Sequence, residues 1–208
     1  YVESGKVALE EWSHLALGLR FRAAAMGVPF LPALTMLGSD LMAVGGMKTL
    51  EDPYTGQTLA AVPALFPDVA ILHVHRADRF GNCQIDGYPH MDADIARAAT
   101  TVLVTAEEIV LEDETRRHPD RTVIPGFLVD ALALVPFGSF PHECYGLYEA
   151  DFEHFADYTA AIDARGSRAV EDYLERYVYA PSSYADYLDL FGGERLARQG
   201  RLARELTG

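Results

Sequence analysis

The sequence predicts an α/β fold: an open, mainly parallel sheet with flanking helices, followed by a C-terminal helical extension. Two apolar strands separated by a loop and a short helix are the first observation. Val69 to His75 is apolar at nearly every position, Asp92 to Ala99 reads as a helix, and Thr101 to Thr105 is a second apolar run. Strand, helix, strand is a βαβ unit, whose crossover is right-handed. The second observation is a change of texture near Tyr148, after which aromatic and apolar residues recur at helical spacing. The third is bulk composition. With 208 residues, 50% hydrophobic and 23% charged, the chain can bury a sizeable core. The expected organisation is an α/β domain over 1–147 and a helical extension over 148–208.

Each element has its own signal. Leu9 to Gly27 sets Leu15, Leu19, Ala23 and Met26 at helical spacing, and Gly27 with Pro29 stops the run. This helix is read as beginning near Glu10, which puts His14 within its first two turns. Val28 to Pro32 carries two prolines and suits an edge or a strand entry. Leu37 to Met47 holds Gly38, Gly45 and Gly46 around Ser39 and Asp40, and reads as a loop whose backbone can approach a ligand closely. Glu51 to Gln57 is rich in turn residues. Val69 to His75 is expected to be buried on both faces. Ile109-Val110 is read as the start of another element, and Val123 to Pro125 and Leu128 to Val135 add apolar segments. Four helices are expected in the tail: from Tyr148 to Ala161, Ala169 to Tyr179, Ser183 to Phe191 and Glu194 to Leu206. Its dense Tyr and Phe residues fit an interface or packing within the chain.

Charge excludes whole classes of function. The chain has 31 acidic against 17 basic residues, a formal charge of −14, and lysine only at Lys6 and Lys48. Such a surface repels phosphate backbones, so no nucleic-acid partner is expected. Basic stripes for anionic membranes are missing, and no apolar run approaches the ~20 residues that span a bilayer. No membrane partner is expected. Cys83 and Cys144 set no disulfide framework and are read as reduced thiols in a cytoplasmic protein. The first residue is Tyr1 and no signal sequence opens the chain, so the sequence is read as beginning inside a longer protein.

The residues with chemistry are few. A P-loop, a Gly-x-Ser-x-Gly elbow and a dinucleotide fingerprint are all missing from the sequence. His73 and His75 share one strand face, with Asp78 close behind, which is two-thirds of a metal site without a third ligand. Structural histidines are the preferred reading, and no metal is expected. Asp78 to Asn82 follows a strand at the end where open α/β sheets bind ligands, yet Gly81 and Asn82 equally suit an ordinary tight turn. Glu107 and Glu108 are read as a solvated pair. His14, on its own, is a surface or packing residue with a tunable pKa.

Taken together, three segments carry a resemblance. "RFRAAAMGVPF" (Arg20 to Phe30), "HRADRFGNCQIDG" (His75 to Gly87) and "ARAATTVLVTAEEIV" (Ala96 to Val110) resemble the alpha-type half of class I coenzyme A-transferases. "LGSD" (Leu37 to Asp40), "PHECYGLY" (Pro141 to Tyr148) and the tyrosine-rich tail are similar to the glutaconate CoA-transferase alpha-subunit branch. The likeness extends over essentially the whole chain.

The resemblance implies a fold, a chemistry and a partner. Family members pair two related α/β halves around one active site, and a glutamate on the beta half becomes a glutamyl-CoA thioester. This chain has no matching Glu-Asn-Gly segment, so the resemblance implies a beta-subunit partner, in an α2β2 heterotetramer or a higher assembly. No tightly bound cofactor is implied; a coenzyme A thioester and a carboxylic acid are the substrates. Thirteen residues back from Gly27 stands His14, where the 3-oxoacid branch has an oxyanion-binding glutamine and a steroid-ring-cleaving hydrolase branch a glutamate. Histidine can donate to an oxyanion or act as a base on water. His14 is therefore the expected catalytic residue, with CoA transfer, thioester hydrolysis and a non-catalytic, substrate-selecting role as the alternatives. Gly38, Ser39 and Asp40 are expected at the acyl pocket, and Gly81 and Asn82 at the rim of the site. His142 is a weaker candidate. Family members also carry a glycine-rich N-terminal strand and loop that the sequence is expected to lack.

Overall fold

A computed structural model describes residues 2–207; Tyr1 and Gly208, at the outer bounds of the two expected domains, lie outside it. The chain forms two compact units, Tyr1–Leu134 and Val135–Gly208.

The first unit holds two sheets. A helix, α1 (His14–Ala25), leads through β1 (Phe30–Ala33) and a one-turn helix, α2 (Leu41–Val44), to β2 (Lys48–Glu51) and β3 (Thr58–Pro63). β3 lies between β1 and β2 in a three-stranded antiparallel sheet. Ala16 of α1 packs on Ala60 and Val62 of β3. The wider sheet is built from β4 (Val69–Asp78), β5 (Cys83–Gln84), β6 (Thr101–Val110), β7 (Thr122–Ile124) and β8 (Ala131–Leu134). Its order is β7-β5-β4-β6-β8, parallel from β4 through β6 to β8 and antiparallel at β5 and β7. Helix α3 (Asp92–Ala98) makes the crossover between β4 and β6, as the βαβ pattern predicts, and α4 (Glu112–Arg117) follows β6.

The core sits on one face of this sheet. Ala70, Leu72 and Val74 of β4 and Val102, Val104 and Ala106 of β6 are buried with Ala96 of α3. Each buried Val or Leu contributes about 1.5–3 kcal/mol. The alternate positions behave differently: Val69 is 50% and Ile71 75% exposed, so β4 is not buried on both faces. Three further expectations are corrected. α1 starts at His14 rather than near Glu10, because Ser13 caps it there. Ile109 and Val110 end β6 instead of opening a new element, since the ladder with β4 continues to Asp78 opposite Val110. The stretch from Leu37 to Met47 is not all loop, for it contains α2.

The second unit is helical, with α5 (Phe152–Arg165), α6 (Ser167–Leu174), a π-helical turn over Glu175–Tyr179, α7 (Tyr184–Asp189) and α8 (Gly193–Thr207). Its core is Phe140, Cys144, Tyr148 and Phe191. Tyrosine hydroxyls find partners within the unit: Tyr187 donates to the Phe140 carbonyl at 2.8 Å and Tyr184 to that of Phe137 at 2.6 Å. Much of the aromatic density is thus internal packing. Among the described residues no helix is long and apolar enough to cross a membrane, and both cysteines are free and buried.

Candidate functional site

The start of α1 is fixed by Ser13, whose Oγ accepts the Ala16 amide at 3.1 Å and lies 3.0 Å from Thr35 Oγ1. The segment ahead of it is anchored to the helix: Glu10 accepts Trp12 Nε1 and Arg20 Nη1, and the Arg20 guanidinium stacks 4.1 Å from the Trp12 ring. His14 therefore stands at the first helical position, exposed and with no hydrogen-bond partner for its ring among the described residues. No group among the described residues accepts the amides of His14 or Leu15 either, so this helix end offers unused donors at the positive pole of its dipole.

His14 heads a groove of about 410 Å³. Leu15, Gly18, Leu19 and Arg22 form its α1 side, and Tyr88, His90, Met91 and Asp94 the other. The two sides are clamped by Arg22 Nε donating to Asp94 Oδ2 at 2.8 Å. Gly18 lies close to the facing wall: a Cβ there would come 3.3 Å from Met91 Cε, and the methionine tip would have to give by a few tenths of an ångström. His90 takes a left-handed backbone, φ 47, and its ring stands edge-on to Tyr88 at 4.8 Å. Burial pushes the Asp92 carboxyl up, against the pull of His90.

The other expected site residues do not line this groove. Gly38, Ser39 and Asp40 are exposed at the end of the loop that the Ser13–Thr35 contact ties to the start of α1. Gly38 has φ 76, Ser39 Oγ donates to the Met36 carbonyl at 2.7 Å, and Asp40 precedes α2 without capping it. Gly81 and Asn82 lie in a turn organised by a carboxylate. Asp78, fully buried, accepts the amides of Phe80 and Asn82 on Oδ1, and Asn82 Nδ2 and Thr115 Oγ1 on Oδ2. Burial pushes this carboxyl up, but the hydrogen bonds from Asn82, Thr115 and Phe80 outweigh it and hold it below the usual range. Asn82 Oδ1 accepts the Gly126 amide at 2.9 Å, so its whole side chain is engaged inside the fold. Gly81 has φ 83, and a Cβ there would lie 3.1 Å from Val129.

His73 and His75 do not converge. His73 Nδ1 pairs with Thr105 Oγ1 at 2.8 Å and its Nε2 with Glu107 at 2.7 Å, while His75 Nδ1 accepts the Asp86 amide. Glu107 is thus not a solvated acid but part of a cross-strand pair, 10% exposed. In the second unit, His142 is exposed and accepts the Glu143 amide. There a buried group escapes sequence reasoning altogether: Asp151, with no exposure, accepts the His154 amide and pairs with Arg195. His154 is bonded to the Tyr173 hydroxyl at 3.0 Å. Sequence reasoning also misses Arg22, Tyr88 and His90. The helical spacing of His14, Gly18 and Arg22 is a signal for the first; nothing local marks the other two, which reach the groove only through the crossover.

Known proteins are similar to this chain in sequence and fold. The family described as coenzyme A transferase matches residues 1–134. The chain is 46% identical over 206 residues to an uncharacterised protein of Archaeoglobus fulgidus, covering 99% of this chain and 46% of that protein. It is 34% identical over 216 residues to the A-type subunit of glutaconate CoA-transferase from Acidaminococcus fermentans, covering 94% of this chain and 66% of the relative. The crystal structure of that transferase superposes with a TM-score of 0.88 over 95% of this chain and 67% of its own, at 33% identity. A variant of the decarboxylase AibA/AibB superposes with a TM-score of 0.70 and 38% identity, over 84% of this chain and 64% of its own. The chain spans about half the length of the first relative and about two-thirds of the others.

Proposed function

The chain belongs to the coenzyme A transferase family, and we propose that it is the alpha half of a two-part enzyme moving coenzyme A from an acyl-CoA to a carboxylic acid. The observation that carries this reading is His14: an exposed, unpartnered imidazole beside two unused amides at a helix N-terminus, heading a groove in a chain of this family. In the proposed reaction a glutamate carboxylate on the beta half attacks the thioester carbonyl, and coenzyme A leaves as thiolate. The thiolate then attacks the glutamyl carbonyl of the mixed anhydride, releasing the first acid and leaving a glutamyl-CoA thioester. The second acid reverses the sequence and departs as its own CoA thioester. Each attack places negative charge on a carbonyl oxygen, and His14 donates an N–H to it. One such donor accelerates a reaction by about 10²–10³.

Coenzyme A enters as substrate and no resident cofactor is needed. Its phosphates are assigned to the beta half, since this chain carries −14 and offers them no favourable field. An α2β2 assembly in the cytoplasm completes the proposal.

The test is CoA exchange between an acyl-CoA and a free acid by the chain reconstituted with its beta half. His14→Ala is expected to lower kcat by about 10²–10³, and His14→Gln, which keeps an N–H donor, to retain most of it. Accumulation of free CoA and acid with no exchange product would make the protein a thioester hydrolase, with His14 as base on water. Unchanged turnover in the alanine variant would leave the chain a non-catalytic, substrate-selecting half.

A further inference from the structure

A second groove lies within the helical unit, between α5 and α6. It holds about 310 Å³, the lower end of the range for small-molecule pockets. Ala161 and Ala169 contribute only methyl groups to its lining, and Tyr158, Tyr173 and Tyr177 form an aromatic wall. The two helices treat their charges differently along its length. Near the Gly166 link, Arg165 and Asp172 close an ion pair. Further along, Asp157 on α5 and Arg176 on the π-helical turn stay apart, and neither side chain has an ion pair or hydrogen bond among the described residues. Both charges act on the ring of His154, which burial holds below its ordinary value and so uncharged at about pH 7. Arg195, which feels the field of Asp157, gives its hydrogen bonds to Asp151 instead. The Arg176 guanidinium rests over the Tyr177 ring, 5.1 Å from its centroid. Its backbone turn is closed by the Ala180 amide on the Glu175 carbonyl, a π-helical distortion frequent at functional sites.

We propose that this groove binds a free α-amino acid with an apolar side chain, its ammonium group on Asp157 and its carboxylate on Arg176. A carboxylate and a guanidinium that face one groove without joining are matched by a molecule carrying the opposite pair of charges. The side chain of the amino acid lies against the tyrosine wall and the two alanine methyl groups. A simple anion would satisfy Arg176 and leave Asp157 facing like charge; a simple cation would do the reverse. Every residue of the groove lies beyond 1–134, the part matched by the coenzyme A transferase family, and the proposal stands apart from the CoA-transferase reading.

The deciding experiment is calorimetric titration of the protein with phenylalanine, beside hydrocinnamate, which lacks the ammonium group, and phenethylamine, which lacks the carboxylate. Phenylalanine is expected to bind at least about tenfold more tightly than either, the worth of one charge-assisted hydrogen bond. Asp157→Asn is expected to erase its advantage over hydrocinnamate, and Arg176→Gln its advantage over phenethylamine. Arg176→Lys, which keeps the charge, should retain part of the second advantage. Both positions are exposed and hold no ion pair, so the variants are expected to fold. Equal binding of the three compounds, or an unchanged preference in either Asp157→Asn or Arg176→Gln, overturns the proposal. A titration in which neither phenylalanine nor leucine binds overturns it as well.

Discussion

At Asp78 one carboxylate takes four hydrogen bonds while fully buried, and the turn that the sequence marks by Gly81 and Asn82 is arranged around it. The sequence alone points to the glycine and the asparagine because their turn chemistry is local. The carboxylate is less conspicuous, since Thr115 and Gly126, which complete the network, are distant in sequence. Asp78→Asn puts an amide NH₂ where two donors now converge. It is expected to cost about 2–4 kcal/mol, read from the midpoint of urea unfolding. A loss below about 1 kcal/mol would mean that the turn is held by its backbone bonds. His73 teaches the same lesson about distance. Its pairing with Glu107 needs β4 and β6 side by side, and no spacing along the chain reveals it.

Among the elements, α1 has the most consequence for the site, because its first turn presents His14. Ser13 before an apolar periodic run is a readable N-cap, but the helical pattern of the preceding residues outweighs it and moves the expected start to Glu10. The cap has two partners, the Ala16 amide and Thr35. Ser13→Ala is expected to cost about 1 kcal/mol in denaturant unfolding and to lower kcat in the reconstituted enzyme, as the turn bearing His14 frays. Valine at the same position should behave alike, and threonine should restore both. If alanine changes neither quantity, the Trp12–Arg20–Glu10 anchor holds the turn without the cap. β3 marks the opposite limit of legibility. Thr58–Pro63 is rich in alanine and ends in proline, so it lacks a strand signature, yet it is the central strand of its sheet. Its role comes from partners on both sides, Phe30 to Ala33 and Lys48 to Glu51, which local pattern does not disclose.

For the whole molecule, the apolar run from Val69 to His75 reads as buried on both faces, and within the first unit the helical cover lies over one. Apolar sequence records a preference for leaving water; it does not say whether the same chain supplies the cover. Acidity can be followed through the two units separately. In the first unit Asp78 is held below its ordinary value of 3.8, so its contribution is complete above that value and is lost as pH falls through the lower, folded one. In the second unit Asp151 behaves alike: burial raises it, and the hydrogen bonds from Arg195 and His154 prevail. His154 adds an earlier step. Burial holds its ring below the ordinary 6.5, with Asp151 and Asp157 pulling up and Arg195 and Arg176 pushing down. A histidine depressed in the fold costs stability progressively as pH drops below about 6.5, because the unfolded chain takes the proton first. The second unit should therefore weaken before the first. Trp12, the one tryptophan, reports on the first unit, and the Tyr173, Tyr177 and Tyr187 cluster reports on the second. On acid titration, the near-ultraviolet tyrosine circular dichroism is expected to start falling below about pH 6.5, while Trp12 fluorescence holds until below about pH 4. His154→Gln should remove the early phase and leave the late one. Coincident loss of both signals near about pH 4 would mean that His154 stays neutral throughout, and that the buried carboxylates alone govern the acid limit.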